Sequence, residues 1–549
     1  MNTLLRGLAL LLGILPASMA FGSAHADDPR MNDYDVRHYD LSLNFDPARK
    51  VFSGSVTVRC VALKTVNPIV LSASSETLTI DSVSSDGKEI PFRHEGGQLV
   101  ITLPADIPAK TPFEVTVRYR GISGFRGQYD DGGVFFAAAN RFGTISEPWF
   151  ARNWFPCKDI PSDKATSAVA ATVPNGLIAV SNGLLTRTDR GDSTTTYFWE
   201  TRYPIATYLI SVAAAPYVEI GDTLAGAKGE RMPVVYYVFP DDSAKARKDF
   251  ELTTAVLGYF STTFCEYPFI GEKFGFAEVD GDLTMENQTI CSIQSSLITG
   301  TGSGKSTFIH ETAHHWWGDL ITPLDWHHTW LSEGFATYAE ALYLEHLKGP
   351  DAYRKRIERY MDTPPGTFAG SVIGKSDTAF WDSFAPRVYE KGALVLHMLR
   401  GLVGDSTFFT IMRNYLNNPR LRYANARTED FIDECEKASG RNLGWFFQEW
   451  VYASADSIDR PRYICRWKTE GNKPPFDVSL DIGQKDGDRM TYRMPLVVDF
   501  HAGDSVRTFN ITDSLRQQTF GFSVPWKPDS LIIDKERRVL KTVEMKEIR

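Results

Sequence analysis

Two histidines separated by three residues form the strongest chemical signal in the sequence. His310 and His314 begin and end the run HETAH, and apolar residues recur around it at helical intervals, which predicts a helix over residues 306–320. Side chains four positions apart lie on one face of a helix, so both imidazoles can bind a single metal ion. Glu311 then lies beside the ion, where its carboxylate can accept a proton from an attacking water.

A third metal ligand is expected from a second helix. Glu333 follows His314 by 19 positions, which leaves room for a helix end, a turn and a return. Two imidazoles and a carboxylate with an open fourth position suit catalytic zinc, so we predict one Zn²⁺ per chain, bound by His310, His314 and Glu333. Glu340 falls on the same helical face as Glu333 and can hydrogen-bond a ligand imidazole, fixing its tautomer. The alternative for Glu340 is a solvated surface carboxylate.

The periodicity of the chain predicts a multidomain α+β protein that positions these residues. At 549 residues the chain has room for about two to four domains. Alternating apolar and polar residues predict a β-rich N-terminal domain over residues 27–221. Helical spacing of apolar residues predicts a mainly helical domain over residues 222–455, which opens with a strand near 233–238. Alternation returns after it and predicts a small C-terminal β-sandwich over residues 456–549. The predicted helices cover residues 249–264, 306–320, 331–347, 351–361, 391–403 and 428–439.

The first 26 residues have the pattern of an export signal. Arg6 supplies a positive charge, an apolar run covers residues 8–15, and small residues follow up to Ala26. The run is shorter than the ~20 residues of a membrane-spanning helix. We therefore expect cleavage of residues 1–26, no stable membrane span afterwards, and a periplasmic or secreted protein. A single membrane anchor is the alternative.

The charge balance argues against one class of partner. The formal net charge is -9, whereas nucleic-acid binders concentrate Lys and Arg to displace counterions. No nucleic-acid partner is expected. The six cysteines occur singly, without a CxxC pattern, which argues against a cysteine metal cluster and leaves disulfide pairing open. The sequence carries no signal for an oligomeric state.

Five motifs in order resemble the M1 family of zinc aminopeptidases, whose metal site is of the gluzincin type. The resemblance spans residues 34–453. The family patterns are A-R-x-x-F-P-C-x-D, G-A-M-E-N, HExxHxWxGxL, W-L-N-E-G-F-A and Y-E-K-G. This chain has ARNWFPCKD at 151–159, MEN at 285–287, HETAHHWWGDL at 310–320, WLSEGFA at 330–336 and YEKG at 389–392.

The resemblance implies an aminopeptidase with a thermolysin-like catalytic domain, acting on the N-terminal residue of peptide substrates. It also implies residue roles. Glu311 matches the general base, and Tyr389 matches the tyrosine that stabilises the oxyanion. Glu286 matches the glutamate that binds the substrate's α-ammonium group. Glu147 occupies the position of a Gln or Glu that helps to hold the same amine.

The chain departs from the family pattern at several points. Leu283-Thr284 replaces the Gly-Ala before MEN, which alters how closely a substrate backbone can approach. Residues 148–150 differ from those that usually follow the position of Glu147, and Ser332 replaces the Asn of W-L-N-E-G. The family's long helical C-terminal domain is expected to be absent.

Other interpretations stay open at this stage. A thermolysin-type endopeptidase shares the metal ligands and the base, but it needs no amine-binding carboxylate. A non-catalytic peptide-binding protein on the same fold is the second alternative. The run GSGKS at 302–306 resembles a phosphate-binding loop, but Thr299 stands where that motif needs glycine, so we expect a turn before the metal helix. His315, His327 and His328 are expected to pack or to support the ligands.

Overall fold

The computed structural model describes residues 28–124, 132–138, 140–227, 229–281, 284–374, 384–453, 459–485 and 490–548. The predicted export signal and Leu283 lie outside these ranges. The predicted fold class is confirmed, because a β-rich part precedes a mainly helical part and two small sheets follow. The domain boundaries stay predictions.

The described residues of the N-terminal part form three sheets that share one apolar core. Every second residue of the strand over Ala165–Pro174 is buried, as expected for strands with one face on a core. The strands are β1 (Tyr34–Asp46), β2 (Val51–Ala62), β3 (Ile69–Ser72), β4 (Leu78–Ser85), β5 (Lys88–Glu89), β6 (Phe92–Glu95), β7 (Gln98–Ile101), β8 (Pro112–Ile122), β9 (Gly133–Ala138), β10 (Arg141–Ile145), β11 (Ala165–Pro174), β12 (Ile178–Ser181), β13 (Leu184–Arg190), β14 (Thr194–Ile205) and β15 (Val212–Ala215). The sheet orders are β13-β14-β11-β1-β2-β8-β4-β5, β12-β15-β10-β9 and β3-β7-β6.

A four-stranded sheet opens the central part. Its strands, in spatial order, are β16 (Val218–Ala225), β17 (Arg231–Val238), β18 (Phe274–Val279) and β19 (Cys291–Gln294). β16 is antiparallel to β17, and the other pairs are parallel. All residues of β18 are buried, as expected for a parallel strand that is covered on both faces.

Helices make up most of the remaining central part, and all six predicted helices overlap observed ones. None of the described helices combines the length and the apolar character that a membrane crossing needs. A short parallel pair, β20 (Thr322–Pro323) with β21 (Asn425–Ala426), links two loops. The helices are α1 (Ser243–Asp249), α2 (Thr253–Thr263), α3 (Lys305–His314), α4 (Trp330–Lys348), α5 (Pro350–Met361), α6 (Gly392–Val403), α7 (Asp405–Asn417), α8 (Thr428–Ser439) and α9 (Gly444–Phe447), with π-helical turns at Arg387–Lys391 and Gln448–Tyr452.

The metal helix is shorter than predicted, because α3 ends at His314 and not at residue 320. Gly318 has a φ of 124°, which is incompatible with a helix. The amides of Trp316 and Trp317 both donate to the carbonyl of Ala313, so the chain turns back after the second histidine. The apolar residues of this turn are buried, which explains why their spacing extended the predicted helix too far.

Two facing sheets form the C-terminal part, as the alternation predicted. The rings of Phe500 and Phe522, one from each sheet, lie 5.0 Å apart between their centroids, so the sheets share a core. The strands are β22 (Arg462–Glu470), β23 (Phe476–Gln484), β24 (Met494–Ala502), β25 (Ser505–Asp513), β26 (Gln517–Val524), β27 (Ser530–Ile533) and β28 (Thr542–Glu547). The sheet orders are β26-β23-β22-β28 and β25-β24-β27.

Candidate metal centre and active site

Helix α3 presents both predicted histidine ligands on one face. The ring centroids of His310 and His314 are 4.6 Å apart, as expected for side chains one helical turn apart. Glu333, in the first turn of α4, lies between them. Its Oε2 is 3.1 Å from Nε2 of His310 and 3.4 Å from Nε2 of His314. Burial opposes the charge of Glu333, but the two imidazoles hold the pKa of its carboxyl well below the ordinary value.

The outer nitrogens of both rings have fixed partners. Nδ1 of His310 is 2.9 Å from Oε1 of Glu340. Nδ1 of His314 is 2.9 Å from the carbonyl oxygen of Trp317 and 3.0 Å from the hydroxyl of Ser332. A carboxylate or carbonyl oxygen only accepts, so each Nδ1 carries a proton, and each Nε2 is the nitrogen left to bind a metal. Two such nitrogens and the carboxylate between them fit Zn²⁺.

Glu340 is itself held in place by two donors. The guanidinium of Arg356 and the hydroxyl of Ser306 both donate to its Oε2, the former at 2.8 Å. Burial works against ionisation, but the pKa of Glu340 lies below its ordinary value because of His310 and Arg356. The carboxylate that orients His310 therefore stays charged.

Tyr389 reaches the metal group from the π-helical turn Arg387–Lys391. Its hydroxyl donates to Oε1 of Glu333 at 3.0 Å. Burial and the neighbouring carboxylate raise the pKa of Tyr389 well above its ordinary value, so the phenol keeps its proton at neutral pH. Local π-helical geometry often marks functional sites.

A pair of glycines brings α4 close to this turn. A Cβ on Gly334 would lie 3.0 Å from Cα of Gly392, and a Cβ on Gly392 would lie 3.0 Å from Cα of Gly334. Neither position accepts a side chain unless the backbone shifts. The contact adjoins both Glu333 and the YEKG segment, so it holds the Glu333 carboxylate within reach of the Tyr389 hydroxyl.

Two further carboxylates lie beside the metal group. Ligand atoms of Glu286, Glu311 and His314 are within 4.8 Å of one another, and all three residues are buried. Burial raises the pKa of Glu311 to about 8. Burial also raises the pKa of Glu286, although the neighbouring His314 acts to lower it. A bound divalent cation favours the ionised form of both groups.

Glu147 faces the same group of acids from the N-terminal part. Burial and then the charge of Glu286 raise the pKa of Glu147 well above its ordinary value. The divergent segment after it contributes Trp149, whose ring centroid is 6.4 Å from that of Trp326. The ring centroids of Trp326 and Tyr208 are 5.1 Å apart. Trp149, one of the residues that depart from the family pattern, therefore belongs to an aromatic cluster with Trp326 and Tyr208.

The other histidines near the site have partners of their own. His315 is fully buried, with Nδ1 2.9 Å from the hydroxyl of Tyr267 and Nε2 3.3 Å from Sγ of Cys291. Nδ1 of His327 is 3.3 Å from Oδ1 of Asp325, and Nδ1 of His328 is 3.0 Å from the hydroxyl of Thr428 at the start of α8. Within the described part of the chain, none of the three joins the group of ligand atoms formed by the metal residues.

The glycine-rich run before α3 is a turn into the helix. The carboxylate of Asp249 accepts hydrogen bonds from the amides of Thr299, Gly300 and Gly302 at 2.7–2.8 Å. An acidic side chain of the protein itself therefore occupies the amide groups that a phosphate would need. α3 begins directly afterwards, at Lys305.

Sequence reasoning missed the groups that orient His314. A Cβ on Gly318 would lie 2.4 Å from the hydroxyl oxygen of Ser332, so glycine is required where the turn brings the Trp317 carbonyl to the imidazole. The glycine is visible in the metal motif, but its partner on α4 is not a neighbour in the sequence. The contact between Gly334 and Gly392 was missed for the same reason.

The glycine contact predicts a stability difference between two substitutions in α6. Gly392→Ala is expected to lower the free energy of unfolding by about 1–3 kcal/mol, because the added methyl group overpacks a backbone contact. Gly401→Ala is the matched control, since its Cβ would meet side-chain atoms of Arg538 no closer than 3.7 Å. It should stabilise the helix by about 0.5–1 kcal/mol. Urea unfolding measures both, and equal effects of the two substitutions would contradict the packing argument.

Two family models match the chain. The peptidase M1 N-terminal domain matches residues 36–209, and the peptidase family M1 domain matches residues 251–450. The second match contains α3, α4 and the π-helical turn that carries Tyr389.

The chain is also similar to probable aminopeptidase 2 of Sulfurisphaera tokodaii, with 27% identity over 83% of this chain and 60% of the relative. Glutamyl aminopeptidase of Rattus norvegicus is 24% identical over 80% of this chain and 50% of its own length. The chain thus spans 60% or less of the length of these relatives.

The chain also resembles solved structures of zinc metallopeptidases and aminopeptidases. The M1 zinc metallopeptidase from Deinococcus radiodurans has a TM-score of 0.66 and 25% identity, covering 77% of this chain and 94% of that one. Aminopeptidase A of Legionella pneumophila shares the fold, with a TM-score of 0.78 and 18% identity over 94% of this chain and 60% of its own. The family and the donor set of His310, His314 and Glu333 together indicate Zn²⁺ as the cofactor. The chain belongs to peptidase family M1, the family of zinc aminopeptidases.

Proposed function

We propose that this chain is a zinc-dependent aminopeptidase that removes the N-terminal residue from peptides. One observation carries the proposal: Glu286 is buried with ligand atoms of Glu311 and His314 close by, although His310, His314 and Glu333 already complete a zinc ligand set. A buried carboxyl group beyond those needed for the metal and for proton transfer stays ionised only if it meets a cation. The α-ammonium group of a peptide substrate meets that requirement.

His310, His314 and Glu333 are the proposed zinc ligands. When bound, zinc polarises the scissile carbonyl and activates a water molecule. Glu340 and the Trp317 carbonyl hold the two imidazole rings through Nδ1, which keeps both Nε2 atoms directed at one point.

Glu311 is the proposed general base. It follows His310 on α3, and it is buried close to the metal group without acting as a ligand in the proposed set. Its carboxylate accepts the proton of the attacking water and later delivers a proton to the leaving amine. The buried surroundings strengthen its interaction with both groups.

Tyr389 is the proposed donor to the oxyanion of the tetrahedral intermediate. Its hydroxyl already donates toward the metal group, to Oε1 of Glu333. A phenol with a raised pKa stays protonated and can donate to an oxygen that becomes negative during the reaction. The intact pair of Glu311 and Tyr389 argues against a non-catalytic peptide-binding protein.

Glu286 and Glu147 separate an aminopeptidase from a thermolysin-type endopeptidase. The two classes of enzyme share the zinc ligands and the base, but only an aminopeptidase has a reason to place further acids beside the metal to receive an amine. Two-domain M1 zinc metallopeptidases have been solved bound to L-tryptophan and to L-arginine. Those ligands, each a single residue with a free amine, support the same kind of site here.

We also propose that the protein is exported and acts in the periplasm or outside the cell. The support is the charge and apolar pattern of residues 1–26. The intact mass of the protein recovered from its natural host tests this, because retention of residues 1–26 would contradict processing.

Removing the third ligand should release the metal. Glu333→Ala is expected to lose its zinc on dialysis, since two imidazoles alone hold zinc weakly. Glu311→Gln is the matched variant, because it removes the base and keeps all three ligands. It should retain zinc while turnover falls on the order of 10²-fold or more. Elemental analysis measures the zinc content of both variants. An unchanged zinc content in Glu333→Ala would mean that another residue is the third ligand.

The amine-binding role predicts a difference between free and capped substrates. In the wild type, acetylation of the N-terminus should lower kcat/KM by on the order of 10²-fold or more, because a buried carboxylate loses its cation. Glu286→Ala should shrink this difference. Glu114→Ala, at an exposed glutamate of β8, should leave it unchanged.

The measurement is cleavage of one peptide in both forms, with product masses showing each cut. Internal cuts in the capped peptide at a comparable rate would contradict the aminopeptidase assignment. They would favour the endopeptidase and leave the zinc site untouched.

A further inference from the structure

The loop that follows Glu286 is anchored on the N-terminal part of the chain. Two backbone hydrogen bonds between Met285 and Ser292, of 2.9 and 2.8 Å, close this loop. Asn182, directly after β12, donates through Nδ2 to the carbonyl of Gln288 at 2.6 Å and to that of Leu209 at 3.0 Å. Asn182 is 2% exposed and Gln288 is fully buried. Solvent therefore does not compete for the contact.

Thr289 has a backbone conformation that its side chain disfavours. Its φ is 67°, a left-handed value that is unfavourable for a β-branched residue. The residue is fully buried, and its hydroxyl accepts a hydrogen bond from the amide of Gly183 at 2.8 Å. The N-terminal part thus supplies a buried hydrogen bond to the strained residue.

Lys273 connects the same elements from the central sheet. Its ammonium group donates to the carbonyl of Ser181 at 2.9 Å and also to that of Gly183. It lies 3.5 Å from the hydroxyl of Thr289 and 4.7 Å from the ring centroid of Trp199. The turn Ser181–Gly183 is therefore fixed on two sides, by Lys273, which directly precedes β18, and by the loop that carries Glu286.

We propose that Thr289 and Asn182 are positioning residues for amine recognition. In this proposal, the N-terminal part holds the loop 286–291 in a strained conformation that directs the Glu286 carboxylate toward the substrate's ammonium group. The zinc ligands lie on α3 and α4, outside this loop. Loss of the anchor should therefore weaken binding of the amine while zinc stays bound. This inference rests on the proposed aminopeptidase function.

The pair Thr289→Val and Thr289→Ser isolates the hydroxyl. Valine keeps the β-branched shape and the strain but removes the acceptor for the Gly183 amide, whereas serine keeps the acceptor. The probes are leucine hydroxamate and isocaproyl hydroxamate, which share a zinc-binding group and a side chain but differ in the amine. The ratio of their inhibition constants reports amine recognition separately from zinc binding. A purely structural role would change both constants together.

We expect the wild type to prefer leucine hydroxamate. Thr289→Val should lower that preference by about tenfold, as for loss of one buried hydrogen bond, through weaker binding of leucine hydroxamate alone. Thr289→Ser should stay within about twofold of the wild type. Zinc content, measured by elemental analysis, should be equal in all three proteins.

Asn182→Ala provides a second variant if Thr289→Val does not fold, and the preference should fall in the same way. A preference that persists in folded Thr289→Val or Asn182→Ala would overturn the positioning role. A wild type that does not distinguish the two hydroxamates would instead contradict amine recognition by Glu286, and with it the proposed function.

Discussion

Glu286, Glu311 and Glu333 bring three carboxylates into one buried site that contains two imidazoles. When a metal is bound, both imidazoles are neutral ligands that do not offset these charges, so the acids can all be ionised only if cations enter the site. Zn²⁺ supplies two positive charges and a substrate ammonium group supplies a third, which balances three carboxylates. Glu147 lies at the more exposed edge of the group. The same charge balance therefore links the metal, the base and the preference for a free N-terminus in the proposed function.

This balance requires groups from separate elements to meet within a few ångströms. α3 and the turn after it present the histidines, α4 presents Glu333, and the contact between Gly334 and Gly392 lets the π-helical turn bring Tyr389 to it. The loop with Glu286 comes from the edge of the central sheet. The N-terminal part is more than a scaffold in this arrangement, because it supplies Glu147 and contacts that loop.

The parts of the site that depend on local periodicity were predictable from the sequence. The spacing of His310 and His314, and that of Glu333 and Glu340, fixes which side chains share a helical face. The proximity of Tyr389, Glu286 and Glu147 was implied by the family motifs, since these residues lie far apart in the sequence. The β-rich and helical parts followed from alternation and helical spacing.

The remaining features depend on long-range packing, which a single sequence does not encode in its periodicity. The turn at Gly318 ends α3 early, although the buried residues beyond His314 keep a helical spacing. Ser332 replaces the family's Asn and contacts Nδ1 of His314 across two elements. The bond between Gly183 and Thr289 joins positions 106 residues apart.

The most direct test of the account follows the products of one unblocked peptide over time by mass spectrometry, with the zinc-loaded wild type. We predict a ladder in which each successive product lacks one more residue from the N-terminus, while the C-terminus stays intact. Fragments that begin inside the peptide before its first residue has been removed would contradict it.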